Sequence, residues 1–344
     1  MSLLETSLRF LGPAARLLGI ALALCLVLLG ALYAFRDRLV FWPDKSPAAA
    51  QPPPRGSGLE AFILDGGAGA KISAWMATAR PGRRTVLLLH GNGGSLTDML
   101  GRIRTVMGLG MGVLAIDYEG YGLSEGKPSE EAMARNAEAA WRHLTASLAI
   151  EPAHIVIWGY SLGGYPAARL AEAHRETLSP LVLDSTFTRI ADAAKAHGPL
   201  TGLAARAVLG DSFEVQGRLA EISPEILLVL HSPDDEVVPY ALGLANYSAY
   251  RNGPKELVTL CGGHGDYELN RGAYAGAFAR RFWAPPPGPL EGAGPGEAAP
   301  EGPAFPAAPE TPAAPETSAA PETPAAPEAP IGRSETSAAP EAGA

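Results

Sequence analysis

Eight short apolar runs recur between residues 59 and 283: "LEAFILDG", "KISAWMATA", "TVLLLH", "MGVLAIDY", "HIVIWGYS", "LVLDST", "EILLVLHS" and "KELVTLCGG". Between most of the later ones lie helix-length stretches. In residues 129–149, "SEEAMARNAEAAWRHLTASLA", Ser129 offers an N-cap, and Met133, Ala137, Ala140, Trp141 and Leu144 recur at helical spacing. Strands alternating with helices predict an α/β fold, a mostly parallel sheet with helices on both faces. The first two runs lie close together and suit an antiparallel lead-in. In open sheets of this kind function gathers at the carboxyl ends of the strands.

Both flanks have a different character. Residues 17–35, "LLGIALALCLVLLGALYAF", carry no charge, and at about 1.5 Å per residue they nearly span a hydrocarbon core of roughly 30 Å. They predict an uncleaved transmembrane anchor. A cut after Ala34 would put Leu32 where a signal peptide needs a small residue. Arg9 and Arg16 precede the run and Arg36, Arg38 and Lys45 follow it, a near balance that fixes no orientation. Residues 36–58 read as a Pro-rich connector and 59–283 as the folded α/β domain. Residues 284–344 hold 16 of the 32 prolines in near-repeats of Pro, Ala and Glu, and such a segment cannot offset its ordering entropy. A disordered tail is expected there, and nothing in it names a partner. The tail's nine Glu and one Arg account for −8 of the net charge of −9. The body is near neutral, with no basic footprint for nucleic acid. Cys25 and Cys261 are too few and too separated for a disulfide framework or a metal-ligand set.

Three strand ends carry chemistry. "WGYSLGGYP" places Ser161 between Gly159 and Gly163, after a strand and before a helix. A nucleophile on so sharp a turn needs small residues at −2 and +2, or strand and helix collide. "LLLHGNGGS" supplies a Gly-rich loop. Backbone N–H groups of Asn92 and Leu162 are the candidate oxyanion donors, and His90 reads as a loop organiser. "IDYEGYGLSEGKPSE" reads as a turn that braces that loop, with Asp117 and Glu119 structural.

A serine nucleophile requires a base. His143, His154 and His174 occupy bland helical or edge positions, and His197 lies in an insertion where it can border a pocket. His264, in the Gly-flanked loop "CGGHGDYE", follows the last strand and can reach over the sheet. The acid is one of "HSPDDEVVP", Asp234 or Asp235, with Asp184 of "LVLDST" as a fallback. Each gives the order Ser, Asp, His.

Together, "HGNGG", "DYEGYGLSEG", "GYSLGG", "SPDDEVVP" and "GGHGD" resemble the α/β-hydrolase superfamily, and most closely its membrane-anchored, serine-aminopeptidase-like (S33-type) subgroup. The resemblance covers roughly residues 36–283, including "RLVFWPD" just after the anchor. It implies an α/β-hydrolase fold, Ser161 as nucleophile and His264 as base. The subgroup's acid motif, H-G-x-x-D-x-x-V-P, runs from His231 to Pro239, which makes Asp235 the acid and puts Ser232 where Gly is usual. Asp234 is then a turn or cap residue.

Residues 186–221 exceed an ordinary loop and predict a small helical cap over Ser161. Leu200, Leu203, Val208, Leu209 and Phe213 either line an acyl pocket or pack against the body. The functional expectation is a membrane-tethered serine hydrolase acting on an ester or thioester without metal or organic cofactor. A peptidase on short peptides is the second reading, in which Asp192, Asp211 or Glu214 binds the substrate amine. A catalytically silent membrane interaction protein is the third.

Overall fold

The computed structural model describes residues 12–44 and 46–283; the first residues and the Pro- and Glu-rich tail over 284–344 lie outside the described residues. In chain order the main elements are α1 (Pro13–Ala34), β1 (Glu60–Asp65), β2 (Lys71–Ala77), β3 (Thr85–Leu89), α2 (Leu100–Gly108), β4 (Gly112–Ile116), α3 (Glu130–Arg142), β5 (Ile155–Tyr160), α4 (Gly164–Ala173), β6 (Leu181–Asp184), α5 (Pro199–Leu209), β7 (Leu227–His231), α6 (Tyr240–Ala249), β8 (Lys255–Thr259) and α7 (Tyr267–Phe282).

All eight apolar runs form strands of one sheet, in the order β1-β2-β4-β3-β5-β6-β7-β8. The lead-in pairs antiparallel, β1 with β2 and β2 with β4. Every later pairing is parallel. Period-two alternation divides the core. Leu87 and Leu89 of β3 face a layer with Met133 and Ala137 of α3 and Ala167 of α4. Val86 and Leu88 face the opposite layer with Ile103 of α2 and Phe278 of α7. Ser129 caps α3, accepting from the Ala132 N–H at 3.1 Å. The chain passes from β3 to β4 on one side and then to β5 on the other. The carboxyl ends of β3 and β5 therefore flank the point where strand order reverses, where such sheets leave a crevice.

α1 begins with Pro13 in its first turn and is exposed along nearly its whole length. Its stretch Ala15–Ala34 is long and apolar enough to cross a membrane, so the helix starts earlier than residue 17 and ends one residue before Phe35. The connector over 36–58 divides in two. A short helix, Arg36–Val40, leaves Val40 and Phe41 buried in the core, and the Phe41 ring meets Phe213 edge-on at 5.6 Å. The stretch is too short to display a period, so its burial is invisible to pattern reading. The predicted cap over 186–221 contains the short helix Ile190–Ala193, α5 and the short helix Gln216–Leu219.

Candidate active site

Ser161 follows β5 in a tight turn that leads into α4, with a φ of +52°. A non-glycine residue in that region is strained and persists only where the surroundings over-determine it. The flanking glycines show how. A Cβ on Gly159 would collide with the Gly163 carbonyl and Ala167, and one on Gly163 with the Leu89 and His90 carbonyls. Thr186 Oγ1 donates to the Ser161 carbonyl at 2.7 Å and holds the elbow from β6's loop.

Three predicted residues meet at this elbow. His264 Nε2 lies 2.9 Å from Ser161 Oγ, and its Nδ1 lies 2.8 Å from Asp235 Oδ2. With the proton on Nδ1 facing the carboxylate, the Nε2 lone pair faces the serine hydroxyl. The imidazole is stacked on Tyr160, ring centroids 5.4 Å apart, and the Tyr160 hydroxyl donates to the His264 carbonyl at 2.9 Å. Asp235 Oδ1 accepts from the N–H groups of Val237 (3.0 Å) and Val238 (2.7 Å).

A fourth residue, His231, joins them. His231 at the end of β7 is fully buried, its Nε2 donating to the Val238 carbonyl at 2.8 Å and lying 3.2 Å from Asp235 Oδ2. Gly243 of α6 makes room for this ring, because a Cβ there would run into it. Burial alone would raise the Asp235 carboxyl pKa. The hydrogen bonds from His231 and His264 outweigh it and hold the group well below the usual carboxylate range. The signal was present as a histidine four residues before the acid, but spacing alone gives no contact.

Asp184, the fallback acid, is not at this elbow. Its carboxylate accepts from Arg102 Nε at 3.0 Å and the Tyr274 hydroxyl at 2.9 Å, all buried. Asp234 is exposed, in a turn where its N–H donates to Ser232 Oγ at 3.1 Å. The Ser232 hydroxyl in turn donates to the Gly262 carbonyl at 2.5 Å, so the residue standing in for glycine ties the acid loop to the histidine loop.

On the β3 side, the Asn92 side chain is clamped. Its Nδ2 donates to the Val40 carbonyl at 2.5 Å, and its Oδ1 accepts from Trp42 N–H (3.1 Å) and the Tyr121 hydroxyl (2.7 Å). The segment after α1 thus fixes the loop that carries a candidate oxyanion donor. Tyr118 donates to the His90 carbonyl at 3.2 Å. His90 is buried, Nδ1 2.7 Å from the Gly91 carbonyl, and burial pulls its pKa down to about 4. Asp117 accepts from the Leu96 N–H, and Glu119 is held by Arg135 and Asn136.

Two cavities meet at Ser161. One, of about 430 Å³, is apolar. It has Ser161, Leu162 and Asn92 at one end, and Phe187, Val208, Leu209 and Val238 as walls, with His197 also on its border. Of the five candidate wall residues, Val208 and Leu209 line it. Phe213 packs between Phe41 and Tyr165, and Leu200 and Leu203 point outward. The other cavity, of about 540 Å³, borders Gly91, Gly93, Asp98, Arg102 and His264. Among the described residues no three His, Cys, Asp or Glu side chains converge as a metal site.

Residues 80–214 match the family described as "Serine aminopeptidase, S33". A 256-residue stretch is 31% identical to an uncharacterized protein of Mycobacterium tuberculosis, covering 73% of this chain and 88% of that one. Over 242 residues the chain is 28% identical to the alpha/beta hydrolase domain-containing protein WAV2 of Arabidopsis thaliana, covering 65% and 79%. The crystal structure of an alpha-beta hydrolase from Vibrio vulnificus superposes with a TM-score of 0.58 at 24% identity, covering 78% of this chain and 94% of that one.

Proposed function

The chain belongs to the α/β-hydrolase superfamily, and from that premise we propose that it is a membrane-tethered serine hydrolase that cleaves ester or thioester bonds through an acyl-enzyme on Ser161. The observation that carries the reading is the hydrogen-bonded line from Ser161 Oγ to His264 Nε2 and from His264 Nδ1 to Asp235.

In this reading His264 takes the Ser161 proton as Oγ attacks the carbonyl carbon. The oxygen that becomes negative is held by the Asn92 and Leu162 N–H groups, which need no reorganisation at that moment. His264 then returns the proton to the departing alcohol or thiol. A water, deprotonated by the same imidazole, releases the acid and restores Ser161. Asp235 keeps the tautomer and stabilises the imidazolium. The apolar cavity takes the acyl group, and the Gly91–Gly94 side takes the leaving group. Two features support retention of the anchor: Leu32 of α1 borders the acyl cavity, and α1 packs on α5.

An aminopeptidase needs an acid free to bind the substrate amine. Lys195 and Thr188 occupy Asp192, Arg206 and Arg189 flank Asp211, and Arg189 lies beside Glu214. This favours an acyl ester or thioester over a peptide. A fluorophosphonate probe tests the reading: it labels the wild-type protein at Ser161 and leaves Ser161→Ala unlabelled. Equal labelling of both proteins would end the proposal.

A further inference from the structure

The apolar cavity is walled on one side by the cap helix α5 and reaches Leu32, a residue of the membrane-spanning helix itself. Leu32 sits at the end of α1, where Tyr33, Phe35 and Arg36 follow. Aromatic and arginine side chains in that position mark the boundary between hydrocarbon and headgroups. α5 packs against α1, and Leu32 of α1 shares the cavity lining with Ala204, Ala205 and Val208 of α5.

α5 divides its residues between two surroundings. Ala204, Ala205 and Val208 border the cavity. Leu200 and Leu203 face away from it and are 80% and 68% exposed, too large and apolar to be left so by a water-facing helix beside another exposed apolar helix. Nearby Leu39 and Trp42, which also border the cavity, are exposed at 52% and 70%. The exposed apolar surface is therefore continuous from the anchor, through the segment after it, to the outer face of the cap. Continuity with a membrane span names its occupant: the bilayer that holds α1.

We propose that α5 docks into the bilayer beside the anchor through Leu200 and Leu203, and that the acyl cavity is loaded sideways, by an aliphatic chain that slides out of the same bilayer between α1 and α5. The proposal rests on the hydrolase reading of Ser161 and adds the route by which substrate arrives. A chain entering at Leu32 meets apolar wall up to Ser161, while its polar leaving group stays on the Gly91–Gly94 side. Short soluble esters do not need the route and reach Ser161 through the second cavity.

The test uses the full chain reconstituted in phosphatidylcholine vesicles. Wild type and Leu200→Ser/Leu203→Ser are compared on p-nitrophenyl acetate in solution and on p-nitrophenyl palmitate carried in the vesicles. The double variant is expected to keep acetate turnover and to lose roughly tenfold of palmitate turnover, since two apolar contacts with the bilayer are removed. In parallel, Leu203→Cys in a Cys25→Ser/Cys261→Ser background, which removes the two exposed native thiols, is labelled with an environment-sensitive fluorophore and is expected to be quenched by spin-labelled lipid. Unchanged palmitate turnover with a fluorophore that lipid does not quench would overturn the proposal, including the case in which another protein copy covers this face. Loss of Ser161-dependent acetate turnover from the wild type would instead overturn the hydrolase reading. Lipid quenching at position 203 would still report docking on its own.

Discussion

Asp184 and Asp235 are both buried carboxylates at the carboxyl rim of neighbouring strands, the first closing β6 and the second four residues beyond β7. Their partners separate them. Asp184 faces a guanidinium, which stays charged at any working pH, and a tyrosine hydroxyl. Burial acts to lower the Arg102 pKa, but the Asp184 charge overrides it and raises the group further, so this pair moves no proton. Asp235 faces two imidazoles, and one of them touches a serine hydroxyl. One acid is held in a fixed ion pair, and the other, in the proposed mechanism, serves a proton transfer. The two are still connected: the Arg102 guanidinium lies 3.8 Å from the centre of the Tyr160 ring, on which His264 is stacked.

Substitutions that remove each charge while keeping its shape are the sharpest way to break this contrast. Asp235→Asn retains an acceptor for the Val237 and Val238 N–H groups, so it is expected to fold, and its kcat on a soluble ester should fall about 10⁴-fold through loss of the productive tautomer. Asp184→Asn leaves the Arg102 charge buried and unpaired. It should cost about 3–5 kcal/mol in urea unfolding, while kcat of the folded fraction stays within about tenfold of wild type. The two variants should therefore separate on perpendicular axes, one in activity and one in stability.

His231→Leu sharpens the same contrast by removing one donor from Asp235 while leaving His264. Loss of a hydrogen bond to a charged group predicts a roughly tenfold or greater fall in kcat. It also predicts a pH effect. The Asp235 carboxyl is depressed in the folded state, so its contribution to stability is present above the unfolded carboxylate value and is lost as pH falls through the folded one. His231→Leu raises the folded value and narrows that window, which acid titration of the folded fraction will show as earlier unfolding. The smallest effect belongs to Asp234→Asn. Its side chain is exposed, and stability should change by no more than about 0.5 kcal/mol with kcat within about twofold.

The sheet was legible because each apolar run is bounded by turn residues and alternates with helical spacing, and all eight became strands. The elbow was legible because Gly159 and Gly163 are sterically required around Ser161. Choosing between Asp234 and Asp235 was different: both lie past the strand, and only the resemblance of "DDEVVP" to a family motif selected the second. Other contacts leave no trace in spacing. Arg102 and Asp184 are 82 residues apart, and Asn92 meets Val40 and Trp42 across about 50. Such pairs are produced by tertiary packing, so neither partner's local pattern announces the other. The burial of Val40 and Phe41 is silent in the sequence for a related reason, since a two-residue insertion into a core carries no periodicity.

The measurement that reaches the central claim most directly is the rate of fluorophosphonate labelling of Ser161 in Asp235→Asn and Asp184→Asn, each on natively folded protein at neutral pH. Asp235→Asn should label orders of magnitude more slowly than wild type, and Asp184→Asn at close to the wild-type rate. Equal slowing of the two, or the reverse order, would contradict the assignment of Asp235 as the acid that serves His264.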